Sequence, residues 1–214
     1  VEIPSAPTAG STKTSGFVQT SAAYAFTAGV DEYFTLASVE SIVIPTAQFT
    51  SGNATVCQGN STNLTITMTG NGPWDIEYTD GTSSFTLTDI ASPYTFGVTP
   101  ASTRTYTITS VADNIGTTGV VIGSNPVITV IPDPTAYNVT GTITICGVQT
   151  ATISLSGSQL NYTYELYRDG VATGNTKAGT NAALSYTGIS LGGTYTVMAY
   201  RTGYPLCYEP MTGS

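Results

Sequence analysis

Runs in which apolar side chains alternate with hydroxyl-bearing ones recur along this chain, among them LTITMTG, TYTITSV, ATISLSG and TYTVMAY. A period of two sends one set of side chains to a buried face and the other to a polar face, the pattern of a half-buried β-strand. Between the runs stand Gly, Pro, Asn and Asp, and the pair Asp-Gly occurs as Asp80-Gly81 and Asp169-Gly170. Asp-Gly accepts the positive φ angles of a tight hairpin, so YELYRDGVATG (164–174) reads as a strand running into a turn. The chain is therefore expected to be folded and almost entirely strand and turn.

One offset recurs. Cys57 and Cys146, Asp80-Gly81 and Asp169-Gly170, and Tyr106 and Tyr195 are each 89 residues apart, which indicates a tandem repeat. The segments VEIP (1–4), IVIP (42–45) and TVIP (129–132) each end a β-branched run with Pro, which stops ladder pairing and marks a joint. The predicted domains are 46–132 and 133–214, preceded by a short or partial unit in 1–45. Pro132 lies 26 residues beyond Tyr106, so the matching strand end in the last unit would fall near position 221, past Ser214. That unit is expected to lack its last strand, leaving an open edge for strand donation by a neighbouring segment or molecule. About seven short strands in ~85 residues, with turns every 8–12, fit an immunoglobulin-like β-sandwich. Tyr106 and Tyr195, each in a Thr-Tyr-Thr strand, stand where a tyrosine corner or an ordinary buried tyrosine would sit.

Charge narrows the partners. The net charge is −8, and the five basic residues (Lys13, Arg104, Arg168, Lys177, Arg201) are far apart in sequence, so no basic patch is available for nucleic acid. No apolar run approaches the ~20 residues that span a bilayer, so membrane insertion is not expected. There is no His, which removes Ser-His-Asp chemistry, the usual base for a Cys nucleophile, and the commonest zinc ligand. Asp75 and Glu77 alternate on one strand face, unlike Asp31-Glu32, but a sandwich of this size seldom offers the cleft that paired carboxylates need to hydrolyse a glycoside. A non-catalytic chain is expected.

The third unit reads PTAYNVTG, then SLSGSQLNYTYELYRDGVATG, then LGGTYTVMA and C-x-x-x-MTGS. It resembles the tandem immunoglobulin/PKD-like repeats of very large surface proteins of Bacteroidetes, and the second unit (ATVCQGNSTNLTITMTGNGPWDIEYTDG onward) looks like a companion repeat. The likeness covers some 170 residues. It implies export by the type IX secretion machinery and display on the cell surface, in many such proteins as gliding-motility adhesins. In that setting adjacent repeats of the same polypeptide and a surface polysaccharide or other adhesion target are the implied partners.

In an exported protein Cys146 and Cys207, both in the last unit, are expected to form a disulfide, with two buried thiols as the competing reading. Cys57 then has no mate, because the position 89 residues before Cys207 is Thr118. It is expected to be a free thiol, either a small buried apolar residue or an intermolecular cross-link.

Other candidate sites are fewer. Hard cations want oxygen ligands, and Asp113 (with Asn114) and Asp133 near the Pro132 joint are weak calcium candidates, since no D-x-D-x-D-G loop occurs and solvated turn residues are the better reading of them. No other cofactor is indicated. Trp74 suits the core between the sheets better than a sugar platform, whereas Tyr200, Tyr204 and Tyr208 lie where an exposed glycan contact could form. Five N-x-S/T sequons, at Asn53, Asn60, Asn63, Asn138 and Asn161, are expected by chance in a chain rich in Asn and Thr. The counterpart of Arg168-Asp169-Gly170 is Thr79-Asp80-Gly81, so the Asp-Gly turn recurs and the Arg does not. Three functions remain: a structural segment of a surface adhesin or filament, a glycan-binding module, and an accessory region of a secreted enzyme.

Overall fold

The computed structural model describes residues 43–141 and 144–213. The short first unit expected in 1–45 lies outside these residues except for its last three. Every regular element described is a strand.

The first sandwich holds β1 (Thr46–Phe49), β2 (Ala54–Cys57), β3 (Thr62–Thr69), β4 (Trp74–Thr79), β5 (Ser84–Ile90), β6 (Tyr94–Val98), β7 (Arg104–Thr105), β8 (Thr107–Asp113), β9 (Val120–Val121) and β10 (Val127–Ile131). One sheet has the order β6-β3-β1-β9, a second β5-β4-β8, and a third β2-β10-β7. Only Tyr106 separates β7 from β8, so the second and third sheets share one continuous strand. The LTITMT alternation does what its period demands: Leu64, Ile66 and Met68 are buried while the threonines between them lie at the surface or half-buried. They meet Ile76 and Tyr78 of β4, Ile108 and Val111 of β8, Tyr106, and Ile128 of β10 in one core.

The second sandwich holds β11 (Val139–Thr140), β12 (Ala151–Leu155), β13 (Tyr162–Arg168), β14 (Val171–Ala178), β15 (Leu184–Ile189), β16 (Tyr195–Arg201) and β17 (Tyr208–Pro210). The order β11-β12-β15 faces the order β14-β13-β16-β17. Tyr164 and Tyr186 are fully buried at its centre beside Leu155, Leu166 and Val197. Their polar tips have partners: the Tyr186 hydroxyl donates to the Tyr164 carbonyl (2.9 Å), and the Tyr164 hydroxyl accepts from the Gln159 amide (2.8 Å). Burial pushes the Tyr186 hydroxyl well above the ordinary tyrosine range, followed by the neighbouring Tyr164 and Glu165. Gly179 permits a close approach here, since a Cβ on it would lie 1.7 Å from the Gln159 carbonyl oxygen.

Both Asp-Gly pairs are hairpin turns. Asp169 (φ 50°) and Gly170 (φ 80°) take positive φ between the paired residues Arg168 and Val171, as a two-residue turn requires. In the first sandwich Asp80 Oδ1 accepts from the Thr82 amide, the Thr82 hydroxyl and the Ser83 amide, each at 2.8 Å. Those bonds, the Ser83 amide foremost, hold the carboxyl at about 2. A folded value below the ordinary 3.8 means its contribution is present above pH ~4 and is lost as pH falls from there toward 2. Asp80→Asn is expected to remove that part of the acid dependence. The check is the urea midpoint of both proteins from pH 5 to 2; parallel curves would show the turn contributes none of it. The group is exposed, so the effect is small.

Polarity along the long axis decides what meets what. β2 runs parallel to β10, with Cys57 opposite Ile131, so Cys57 leaves the first sandwich at the end where the chain itself exits at Pro132. In the second sandwich β16 and β17 are antiparallel and their turn faces back toward that exit. The Tyr162 hydroxyl, paired in β13 with Arg201, donates to the Pro132 carbonyl (3.0 Å) across the joint.

Among the described residues the second sandwich has no counterpart of the β2-β10-β7 sheet. β17 stands 89 residues after β9, the residues matching β10 would be 216–220, and 144–146, the described residues at the position of β2, carry no strand.

Candidate functional site

The joint and the β16–β17 hairpin above it carry the chemistry that distinguishes this chain. Cys57 and Cys207 form a disulfide between the two sandwiches, with their Cα atoms 5.2 Å apart. This corrects the expected Cys146–Cys207 bond and the expected free Cys57; the free cysteine is Cys146, which is exposed. The reason is topological. Cys207 sits in the turn at the near end of the second sandwich, where the Tyr204 carbonyl accepts its amide (3.0 Å). Cys146 occupies the position of Cys57 in its own repeat, and that position points to the far end, about 20 Å away along the strands. The nearest neighbour of Cys207 is therefore the exit end of the preceding sandwich.

Tyr200 and Tyr208 are direct cross-strand partners, so both side chains lie on the outer face of the hairpin. Across β13, Tyr200 faces Thr163, and the alternation puts Glu165 and Tyr167 on the same face. Partial burial, then Glu165 and Tyr167, raise the Tyr200 hydroxyl above its ordinary value. Register and alternation thus gather the phenol side chains of Tyr167, Tyr200 and Tyr208 and the Glu165 carboxylate on one outer face, residue types that can stack on a sugar ring and hydrogen-bond its hydroxyls. Tyr204 is 42% exposed but lies in the turn, apart from the Tyr200–Tyr208 pair (Tyr208 is 55% exposed). Glu165 and Tyr167 were not singled out from sequence; the alternation in NYTYELYRDG contained them, but only the β13–β16 register puts them beside Tyr200.

The remaining candidates are scattered. Asp113 is 4% exposed; its Oδ1 accepts from the Thr117 amide (2.7 Å) and the Ile115 amide (3.1 Å), and its buried Oδ2 has no partner among the described residues. Asp133 is exposed at the opposite end of that sandwich, so the two calcium candidates do not share a site. Among the described residues no three Cys, Asp or Glu side chains converge. Asp75 and Glu77 lie exposed on β4, where Asp75 Oδ1 accepts the Asp89 amide (2.9 Å). Trp74 is partly buried against the first core, and its indole N–H donates to the Thr69 carbonyl (3.2 Å). Tyr106 is buried; the Tyr195 hydroxyl donates to the Leu191 carbonyl four residues upstream (2.8 Å), the geometry of a tyrosine corner. Asp169, whose Oδ1 accepts the Thr194 amide (2.8 Å), is engaged in the fold rather than offered as part of an Arg-Asp-Gly ligand. Each sandwich also has an open cleft, of 410 Å³ between β14 and the β15–β16 loop and of 400 Å³ between β5 and the β6–β7 loop. Their placement repeats, with Tyr195 and Arg168 lining one, Tyr106 and Arg104 the other.

No family model matches the chain, and no characterised protein matches it in sequence. Among solved structures it is similar to titin domains I67-I69 as an E-to-A variant, with 12% identity over 79% of this chain and 64% of that one and a TM-score of 0.48. The I-band fragment I67-I69 from titin is similar at 14% identity over the same shares, with a TM-score of 0.46. The human OSCAR ligand-binding domain is similar at 16% identity over 79% of this chain and 95% of that one, with a TM-score of 0.30. The chain thus spans about 64% of the length of the titin fragments. These are likenesses of fold, and the immunoglobulin-like description rests on the strand order itself.

Proposed function

We propose that residues 43–214 form a structural spacing segment of an exported, surface-displayed adhesive polypeptide, carried out by the type IX machinery and holding a binding region away from the cell. The observation that carries this reading is the disulfide across the joint. Such bonds persist in oxidising compartments, and this one ties two sandwiches in series rather than stapling a single core. Replacing residues 43–214 in the parent polypeptide by two unrelated immunoglobulin-like sandwiches of the same length is expected to leave cell adhesion intact, and deletion is expected to impair it. Adhesion lost equally in both would overturn the spacing reading.

A second reading, favoured by the Tyr200–Tyr208 face with Glu165, is that the segment binds glycan itself. It requires binding on a glycan panel that Tyr208→Ala abolishes.

A further inference from the structure

We propose that the Cys57–Cys207 bond makes this pair of sandwiches an inextensible link for tension carried along the polypeptide. The inference rests on the spacing reading for its biological use, though not for its physics. At Cys57 a pulling force has two covalent routes to Cys207. One is the polypeptide, with 149 residues between cysteines 150 positions apart; the other is a single S–S bond. The shorter route becomes taut first. Tension that enters before Cys57 and leaves after Cys207 therefore bypasses residues 58–206, which include both hydrophobic cores almost entirely.

The polarity of the strands makes the bypass straight. β1 and β2 run the length of the first sandwich toward the joint, the disulfide crosses it, and β17 starts from the joint and runs away from it. The pulled thread is thus largely strand already, at about 3.3 Å per residue against a limit of about 3.6 Å, so little slack remains to be drawn out. An immunoglobulin-like pair without such a bond lengthens many-fold when its domains unfold, whereas this pair holds its length even if a core melts.

The test is to pull the 214-residue chain between handles at its two ends, first oxidised and then with a reductant present, comparing the lengths released. The oxidised segment 43–214 is expected to release no more than about 30 Å, and reduction is expected to add about 500 Å, at roughly 3.5 Å for each residue of the opened loop. A Cys57→Ser, Cys207→Ser double variant should behave as the reduced protein without reductant; reduction in situ serves the same purpose if that variant folds poorly. A release of about 300 Å from the oxidised segment 43–214 would mean that Cys146, not Cys57, holds Cys207, and would overturn the proposal. So would full release in the oxidised state. Failure of the spacing reading would show in the replacement experiment, since the force trace depends only on the covalent path.

Discussion

With the disulfide intact the two sandwiches are expected to unfold together, and with Cys207→Ser in two separate steps. If the second sandwich alone unfolds in the oxidised protein, its chain stays anchored at both ends to the folded first one, through Pro132 and through Cys57. Closing such a loop of about 75 residues costs about 4.5 kcal/mol of chain entropy. Unfolding the other sandwich then only doubles the loop, which costs about 0.6 kcal/mol more. Nearly the whole penalty falls on whichever sandwich opens first, so the half-unfolded species are disfavoured by about 4 kcal/mol. Trp74, the one tryptophan of the chain, reports the first sandwich, and near-UV tyrosine dichroism reports both. Coincident urea transitions in the parent and separated ones in the serine variant are the expected result, with the less stable sandwich losing about 4.5 kcal/mol. Thiol labelling of the native proteins supplies the chemical control, one site (Cys146) in the parent and two in the variant. Separated transitions already in the parent would mean that the bond does not couple the sandwiches.

The second large effect is expected at Tyr164. Its ring is fully buried, its hydroxyl is the partner of the Gln159 amide, and its carbonyl is the partner of the Tyr186 hydroxyl. Tyr164→Ala leaves a ring-sized cavity and an unpaired amide and is expected to cost the second sandwich about 4 kcal/mol. Tyr164→Phe keeps the ring and orphans only the amide, at about 1–2 kcal/mol. Measured in the Cys207→Ser background, where the sandwiches report separately, neither change should move the Trp74 transition. A Phe variant as damaged as the Ala variant would show that the hydrogen bond, not the packing, sets the cost.

Much of this was legible in the sequence because it is local. Alternation in LTITMT, ATISL and TYTVMAY fixes which side chains face inward, and Asp-Gly fixes a turn. The cysteine pairing was not legible by the same route, because an offset of 89 residues shows that Cys57 and Cys146 are equivalent without showing toward which end they point. Only the parallel pairing of β2 with β10 supplies that direction. Once it is known, a cysteine at the exit end of one repeat and a cysteine in the near-end turn of the next are natural partners, and pairing within the repeat is not. Tyr164 and Tyr186 were missed for a related reason. Tyrosine alternates with polar residues in NYTYELYRDG as readily facing out as in, and the choice is made by the depth of the opposing sheet. The outer face at Tyr200 likewise joins residues about 35 apart in the chain, Glu165 and Tyr167 among them, through register alone.

The joint around Pro132, Asp133 and Pro134 is crossed by two covalent threads, the main chain and the disulfide. A joint held by a single thread swivels about every axis, but one held by two separated threads bends only about the line between them and opposes twist. With the Tyr162 hydroxyl closing a further contact onto the Pro132 carbonyl, torque applied to one sandwich passes to the next instead of dissipating in the linker.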